Sequence, residues 1–174
     1  MKRRGGRAGD KAADDGPHPW EVAVKLLAMR ALSSEELRRR LARRGYPPDQ
    51  VSLVLAKLTA SRYLDDAEYA RAWARSRAHR RSLGPARLAR ELRARGIAEA
   101  DIAGTLREVF AERDAREVAE AAALRRLPAL QGLPPDVARR RLAGYLTRRG
   151  FAAEIVMALC RKHVPHGDGP EDHS

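Results

Sequence analysis

The chain has 174 residues, with 35 lysines and arginines against 23 aspartates and glutamates, a formal charge of +12 and a pI of about 10.9. A field of that sign attracts polyanions, either nucleic acid or an acidic protein surface. The single cysteine, Cys160, excludes an internal disulfide framework, no apolar run follows Lys2, Arg3 and Arg4 as a secretory signal requires, and no stretch is long and apolar enough for a membrane span, so a soluble cytoplasmic protein is expected.

Residues 1–18 mix Gly, Ala, Asp, Lys and Arg without periodicity and read as a disordered tail. A helix is expected from Trp20 to about Ala31, with Ala23, Val24 and Leu27 inward. Ser33 and Glu36 then form a capping box for the next helix. In the middle of the chain Asp65 stands three residues before Glu68, so a helix starts at Asp66, with Tyr69, Ala70, Trp73 and Ala74 on one side and Arg71 and Arg75 on the other. The Ser82-Leu83-Gly84-Pro85 turn resets the chain, Gly84 suiting a cap and Pro85 a first helical turn. Further on, a helix is expected from Glu112 to about Leu127, with Val118, Ala122 and Leu124 inward, followed by a linker rich in proline from Pro128 to Pro135. Residues 165–174 read as a second tail.

Three glycines set the organisation. Gly45, Gly96 and Gly150 lie 51 and 54 residues apart, and leucines stand eight and four residues before each: Leu37 and Leu41, Leu88 and Leu92, Leu142 and Leu146. A large apolar residue follows each glycine (Tyr46, Ile97, Phe151), and Val51 with Leu55, Ile102 with Leu106, and Val156 with Cys160 continue the pattern. Leucines four apart share a helix face. The glycine is placed to end that helix in a left-handed conformation, and the next residue folds back as the hydrophobic contact of the cap. With a further helix in front of each pair, the chain predicts an all-α fold of three tandem three-helix repeats, nine helices in all, at 19–64, 65–110 and 111–164. Stacking such small units buries apolar surface that each would leave exposed, which implies an elongated array, curved if the units meet at an angle.

The run Tyr63-Leu64-Asp65-Asp66, Tyr69-Ala70, Trp73, Arg77, Gly84-Pro85, Leu88, Glu91-Leu92 and Gly96-Ile97 resembles the signature of the RecX family, regulators of the RecA recombinase. The first repeat is similar to that family's opening through Ala28, Arg30, Ser33, Glu36-Leu37, Leu41, Gly45 and Tyr46. In the third repeat Arg149-Gly150-Phe151 is the best landmark. The resemblance covers about residues 20–164 and implies a helical-repeat protein that binds RecA-DNA filaments and restrains recombinase and co-protease activity, with some affinity for single- and double-stranded DNA. A monomer without cofactors or a metal is expected.

Between Arg71 and Arg95 nine arginines (Arg71, Arg75, Arg77, Arg80, Arg81, Arg87, Arg90, Arg93 and Arg95) face one acid, Glu91. They are the candidate filament- or nucleic-acid-binding face. Arg43 and Arg44 in the first repeat, beside Arg38 to Arg40, and Arg148 and Arg149 in the third, with Arg139 to Arg141, are smaller groups of the same kind. Tyr69 and Trp73, at helical spacing beside alanines, read as core rather than as base-stacking aromatics. Arg77 lies one turn after Trp73. It is either held by Asp65, Asp66 or Glu91, or it sits at the rim of a working surface.

Cys160, His163 and His166 have metal-like spacing, but Cys160 falls on a core position and no fourth ligand is fixed nearby. Asp65 and Asp66 are explained by a helix N-terminus. No phosphate-cradling glycine loop or zinc-binding helix motif is present, so a non-enzyme is expected. The rival reading is a duplex-binding helix-turn-helix protein with Pro85–Gly96 as recognition helix, although that helix offers arginines for phosphates and no Asn or Gln for base edges.

Overall fold

The computed structural model describes residues 17–165; the expected tails fall almost wholly outside that range, as does His166. Among the described residues the fold is all-α: α1 (Pro19–Met29), α2 (Ser34–Ala42), α3 (Pro48–Ala60), α4 (Asp66–Arg81), α5 (Pro85–Ala94), α6 (Glu99–Glu112), α7 (Ala115–Arg126), α8 (Pro135–Arg148) and α9 (Ala153–His163), with one 3-10 turn at Leu127–Leu130. They form three tandem three-helix repeats, each with its own apolar cluster.

The caps explain most helix ends. Ser33 accepts from the Glu36 amide and Glu36 reaches back, completing the capping box, while Asp65 accepts from the Glu68 amide at 2.8 Å without a reciprocal bond. Gly45, Gly96 and Gly150 all take positive φ, at +87°, +76° and +88°. The amide after each returns to the leucine five residues back, Tyr46 to Leu41, Ile97 to Leu92 and Phe151 to Leu146, which closes the cap with apolar contact.

Two expectations need correction. Helix α6 runs on to Glu112, and α7 starts at Ala115 behind the Asp114 cap rather than at Glu112, so the break falls at Arg113 and Asp114 where no glycine or proline marks it. Leu124 is 52% exposed. It lies two residues beyond Ala122, across the helix from a buried stripe of Val118, Ala119, Ala122 and Ala123. Smaller shifts occur in α1, which ends at Met29, with Leu26 rather than Val24 or Leu27 fully buried beside Ala23. In α4 the fully buried stripe is Ala70, Ala74 and Ala78; Tyr69 and Trp73 are half-buried and pack at its edge.

The middle helices of the repeats meet end to end. Ser33, the cap of α2, donates its hydroxyl to the Arg95 carbonyl at the end of α5 (2.6 Å). Gly84, the cap of α5, donates its amide to the Arg149 carbonyl at the end of α8 (2.7 Å), and Ala86 donates to the Gly150 carbonyl (3.1 Å). The positive end of one helix thus faces the negative end of the next repeat's helix. The two seams differ in material. Between repeats 1 and 2 the links are polar side chains, with the Ser34 amide donating to Asp66 (2.8 Å) and the Tyr69 hydroxyl to Glu36 (2.9 Å). Between repeats 2 and 3 backbone-to-backbone bonds are joined by the Arg125 and Arg149 side chains, which donate to the Ser82 hydroxyl and to the Arg81 and Ser82 carbonyls, with Phe110 packed against both apolar clusters.

Candidate nucleic-acid interface

Helices α4 and α5, with Arg95 as the C-cap of α5, carry the nine arginines of the expected face, and several meet carboxylates that local counting does not reveal. Arg71 binds Glu68 on its own helix at 2.9 and 3.1 Å. Arg75 reaches Glu112 at the end of α6 with two bonds of 2.5 and 3.0 Å. Arg93 is bidentate to Glu99 at the start of α6, and Arg87 contacts Glu91 at 3.2 Å. The guanidiniums hydrogen-bonded to Glu112 and Glu99 hold both carboxyls below the usual carboxylate range.

Arg77 and Arg95 serve a different purpose. Their guanidinium carbons lie 4.2 and 3.6 Å from the Trp73 ring centroid. Tyr69 stacks on the same ring at 6.0 Å between centroids, and the Trp73 indole donates to Glu91 at 3.3 Å. Arg95 also donates to the Glu91 carbonyl at 2.8 Å and stands 3.9 Å from Glu36, beyond hydrogen-bond reach. Arg77 pairs with none of Asp65, Asp66 or Glu91: an aromatic ring, not an acid, holds it. Burial, then the bond to Glu36, pushes the Tyr69 hydroxyl up to about 12.

Arg80 and Arg81, together with Arg87, lie on the seam between repeats 2 and 3. There a cleft of about 550 Å³ is lined by Arg80 and Arg81 from α4, Leu83, Arg87 and Glu91 from the turn and α5, Arg125 from α7, and Tyr145, Arg148 and Arg149 from α8. Six guanidiniums therefore face one carboxylate, and Glu91 is already engaged by Arg87 and Trp73. Arg149 donates to the Arg81 and Ser82 carbonyls and lies 4.5 Å from the Tyr145 ring centroid; Arg125 donates to the Ser82 hydroxyl. These two close the C-terminal end of α4, where unpaired carbonyls favour cations. Ser82 itself is buried and left-handed, at φ +47°. Arg80, Arg81 and Arg148 are exposed with no acidic partner among the described residues, and Arg148 folds back over Gly144, where a Cβ would come within 3.1 Å of its Nη1.

Arg90 is exposed on α5 and also has no acidic partner among the described residues. Arg43 and Arg44 lie elsewhere, at the exposed end of α2, where Arg44 donates to the Arg40 carbonyl at 3.2 Å. The sequence placed Arg148 and Arg149 in a separate group from Arg80, Arg81 and Arg87, yet the seam brings them together. Arg125 and Tyr145 were missed, because neither falls in an arginine run with the others and only the contact between repeats places them.

The cleft presents guanidinium N-H donors from both repeats, which suit an anion. Among the described residues no group of three or more His, Cys, Asp or Glu is arranged to hold a metal. Cys160 is buried in the repeat 3 cluster, which pushes its thiol up, and His163 lies 3.2 Å from Glu120. The N-terminus of α5 is closed by the Arg149 and Gly150 carbonyls, and Leu88, Ala89 and Leu92 are buried. A recognition helix presents its N-terminal residues to base edges; of those on α5, the Ala86 amide is taken by the Gly150 carbonyl, while the Ala86 and Arg87 side chains are exposed. No described helix is long and apolar enough to cross a membrane.

Comparison with known proteins gives a consistent result. Family models described as the first, second and third three-helix domains of RecX match residues 20–58, 65–106 and 114–159. The chain is 40% identical to the regulatory protein RecX of Halorhodospira halophila over 141 residues, covering 79% of this chain and 83% of that one. It is 39% identical to the Mycobacterium avium protein of the same description, with 79% and 82% covered, and 32% identical to that of Pelodictyon phaeoclathratiforme, with 91% and 97% covered. Its fold is shared with a crystal structure of regulatory protein RecX at TM-score 0.73 and 23% identity, covering 80% and 68% of the two chains. The RecX structure from Lactobacillus salivarius gives 0.72 and 17%, covering 83% and 93%.

Proposed function

The chain belongs to the RecX family of regulatory proteins, and on that premise we propose that it binds RecA-DNA filaments and restrains RecA's recombinase and co-protease activities. The observation that carries the reading is the cleft at the repeat 2–3 seam, where six arginines face one engaged glutamate. Isolated exposed arginines are solvated and need no partner. Several converging from four helices onto one concavity repel each other and lower the free energy of whatever anion enters.

The mode of action is occupancy. Filament and protein are linked equilibria, so a protein that prefers one filament state shifts the population toward it without any chemistry. Three repeats in series give several contact points along a repeating polymer, and the second contact benefits from the high local concentration set by the first. The protein is a cytoplasmic, non-enzymatic regulator in this account.

The test is RecA-catalysed, single-stranded-DNA-dependent ATP hydrolysis titrated with this protein. Hydrolysis should fall at ratios at or below one molecule per RecA. A folded preparation that leaves hydrolysis and strand exchange unchanged over that range contradicts the reading.

A further inference from the structure

We propose that the cleft between repeats 2 and 3 seats the sugar-phosphate backbone of a nucleic-acid single strand, and that an occupied cleft clamps repeat 3 onto repeat 2. The proposal deepens the filament reading and rests on it only for the biological partner; the site itself is argued from the seam.

The lining decides between an acidic protein and a nucleic acid. Affinity in protein interfaces concentrates in buried aromatic and apolar anchors. Here the only apolar or aromatic lining is Leu83 and Tyr145, and the Arg149 guanidinium already lies on the Tyr145 ring. What remains free is guanidinium, which suits phosphate oxygens through paired N-H donors and needs no apolar anchor. A duplex presents its phosphates on a convex surface and would touch only the rim. A flexible single strand can enter and meet both walls.

The walls belong to different repeats: Arg80 and Arg87 to repeat 2, Arg148 and Arg149 to repeat 3. Without an anion the like charges of Arg80, Arg81 and Arg148 push the walls apart, against the Gly84 to Arg149 and Ala86 to Gly150 backbone bonds and the Arg125 and Arg149 side-chain bonds that hold the seam. A strand bridging both walls removes that repulsion, so binding and seam stability are linked.

The experiment uses the full chain and a fluorescein-labelled oligo-dT, followed by anisotropy over a range of salt with no RecA present. Replacing Arg80 and Arg148 together with Gln should weaken binding at least about tenfold and lower the log-log salt slope by about 1.4, since each lost single-strand phosphate contact removes about 0.7. An equal loss of charge elsewhere, Arg107→Gln with Arg116→Gln, should change affinity less than about twofold. Hydrogen exchange at Gly84, Ala86 and Arg149 to Phe151 should slow when oligo-dT is bound.

Equal weakening by both pairs overturns the site in favour of diffuse attraction. Equal competition by polyglutamate at matched charge overturns the phosphate assignment in favour of an acidic protein. Equal affinity for duplex, lost in the same variant, overturns the single-strand assignment, and unchanged exchange at the seam overturns the clamp. Inhibition of RecA hydrolysis is scored separately. If the Arg80/Arg148 variant keeps full DNA affinity while inhibition persists, the cleft fails and the filament reading stands; if DNA binding behaves as stated but RecA is unaffected, the reverse holds.

Discussion

The Ser33 hydroxyl donates to the Arg95 carbonyl at 2.6 Å across the boundary between repeats 1 and 2, while the same oxygen accepts from the Glu36 amide at 3.1 Å. One repeat later Gly84 occupies the corresponding position, each residue standing twelve before the glycine that ends its helix. There the donor is a backbone amide, because a side chain has no room: a Cβ on Gly84 would lie 2.6 Å from the Gly150 carbonyl oxygen. The same joint is thus built twice, once with a hydroxyl and once with backbone.

Ser33→Ala therefore removes a helix cap and an inter-repeat bond together. The expected loss is about 2–3 kcal/mol, from about 1 for the cap and about 1–2 for a buried carbonyl left without its donor. Equilibrium denaturation measures it, and a loss below about 0.5 kcal/mol would show that the joint does not depend on this hydroxyl.

The three cap glycines separate backbone strain from joint packing. All have positive φ, but a Cβ on Gly45 meets nothing within 4 Å, whereas one on Gly150 would lie 2.2 Å from the Arg87 amide nitrogen. Gly45→Ala should cost about 1–2 kcal/mol, the left-handed penalty alone. Gly150→Ala should cost about 1–3 kcal/mol more because the seam must also open. Equal losses in the two variants would mean that the third repeat is not seated as described.

The register of leucines and cap glycines was legible in sequence because it is local: the whole cap lies within six residues, and its chemistry demands glycine. The break at Arg113 and Asp114 was not, since Asp114 is an ordinary cap signal inside a region whose helical pattern runs through it. The arginine face was harder still. Glu112 and Glu99 lie 37 and 6 residues from Arg75 and Arg93, so a count confined to the 71–95 window overstates the charge left exposed there. In turn it misses Arg125, which reaches Ser82 across 43 residues. Charge runs report composition; which charges remain available depends on tertiary packing.

Tyr69 should titrate far later than an ordinary tyrosine. Its hydroxyl ionises near pH 12 in the folded protein because burial and the Glu36 carboxylate both oppose a tyrosinate. A raised folded value contributes stability that is complete below the unfolded pKa, near 10, and is lost as pH rises toward 12. Absorbance of tyrosinate should show a late component that Tyr69→Phe removes. Loss of amplitude near pH 10 instead of from the late component would contradict the half-buried Tyr69–Glu36 bond.

At the acidic end the sign reverses. Glu35, Glu99, Glu112 and Glu120 are all held below the usual carboxylate value by hydrogen-bonded cations, with Arg38, Arg93, Arg75 and Lys162 the foremost partners. Their contribution is present above the unfolded pKa, about 4.5, and disappears as pH falls through the lower folded values. These pairs are on the surface, so the effect is small and screened by salt. Melting temperature between pH 6 and 3 should fall less steeply in Arg75→Gln than in the parent at low salt, and the difference should vanish at about 1 M salt. Identical acid limbs at low salt would remove the Arg75–Glu112 pair from the account.

The most direct test of the central claim is the length distribution of RecA filaments on circular single-stranded DNA, measured by electron microscopy with and without this protein. The account predicts shorter filaments at no more than one molecule per RecA, with a weaker effect from the folded Arg80→Gln, Arg148→Gln variant. Unchanged lengths with the folded parent protein over that range would contradict it.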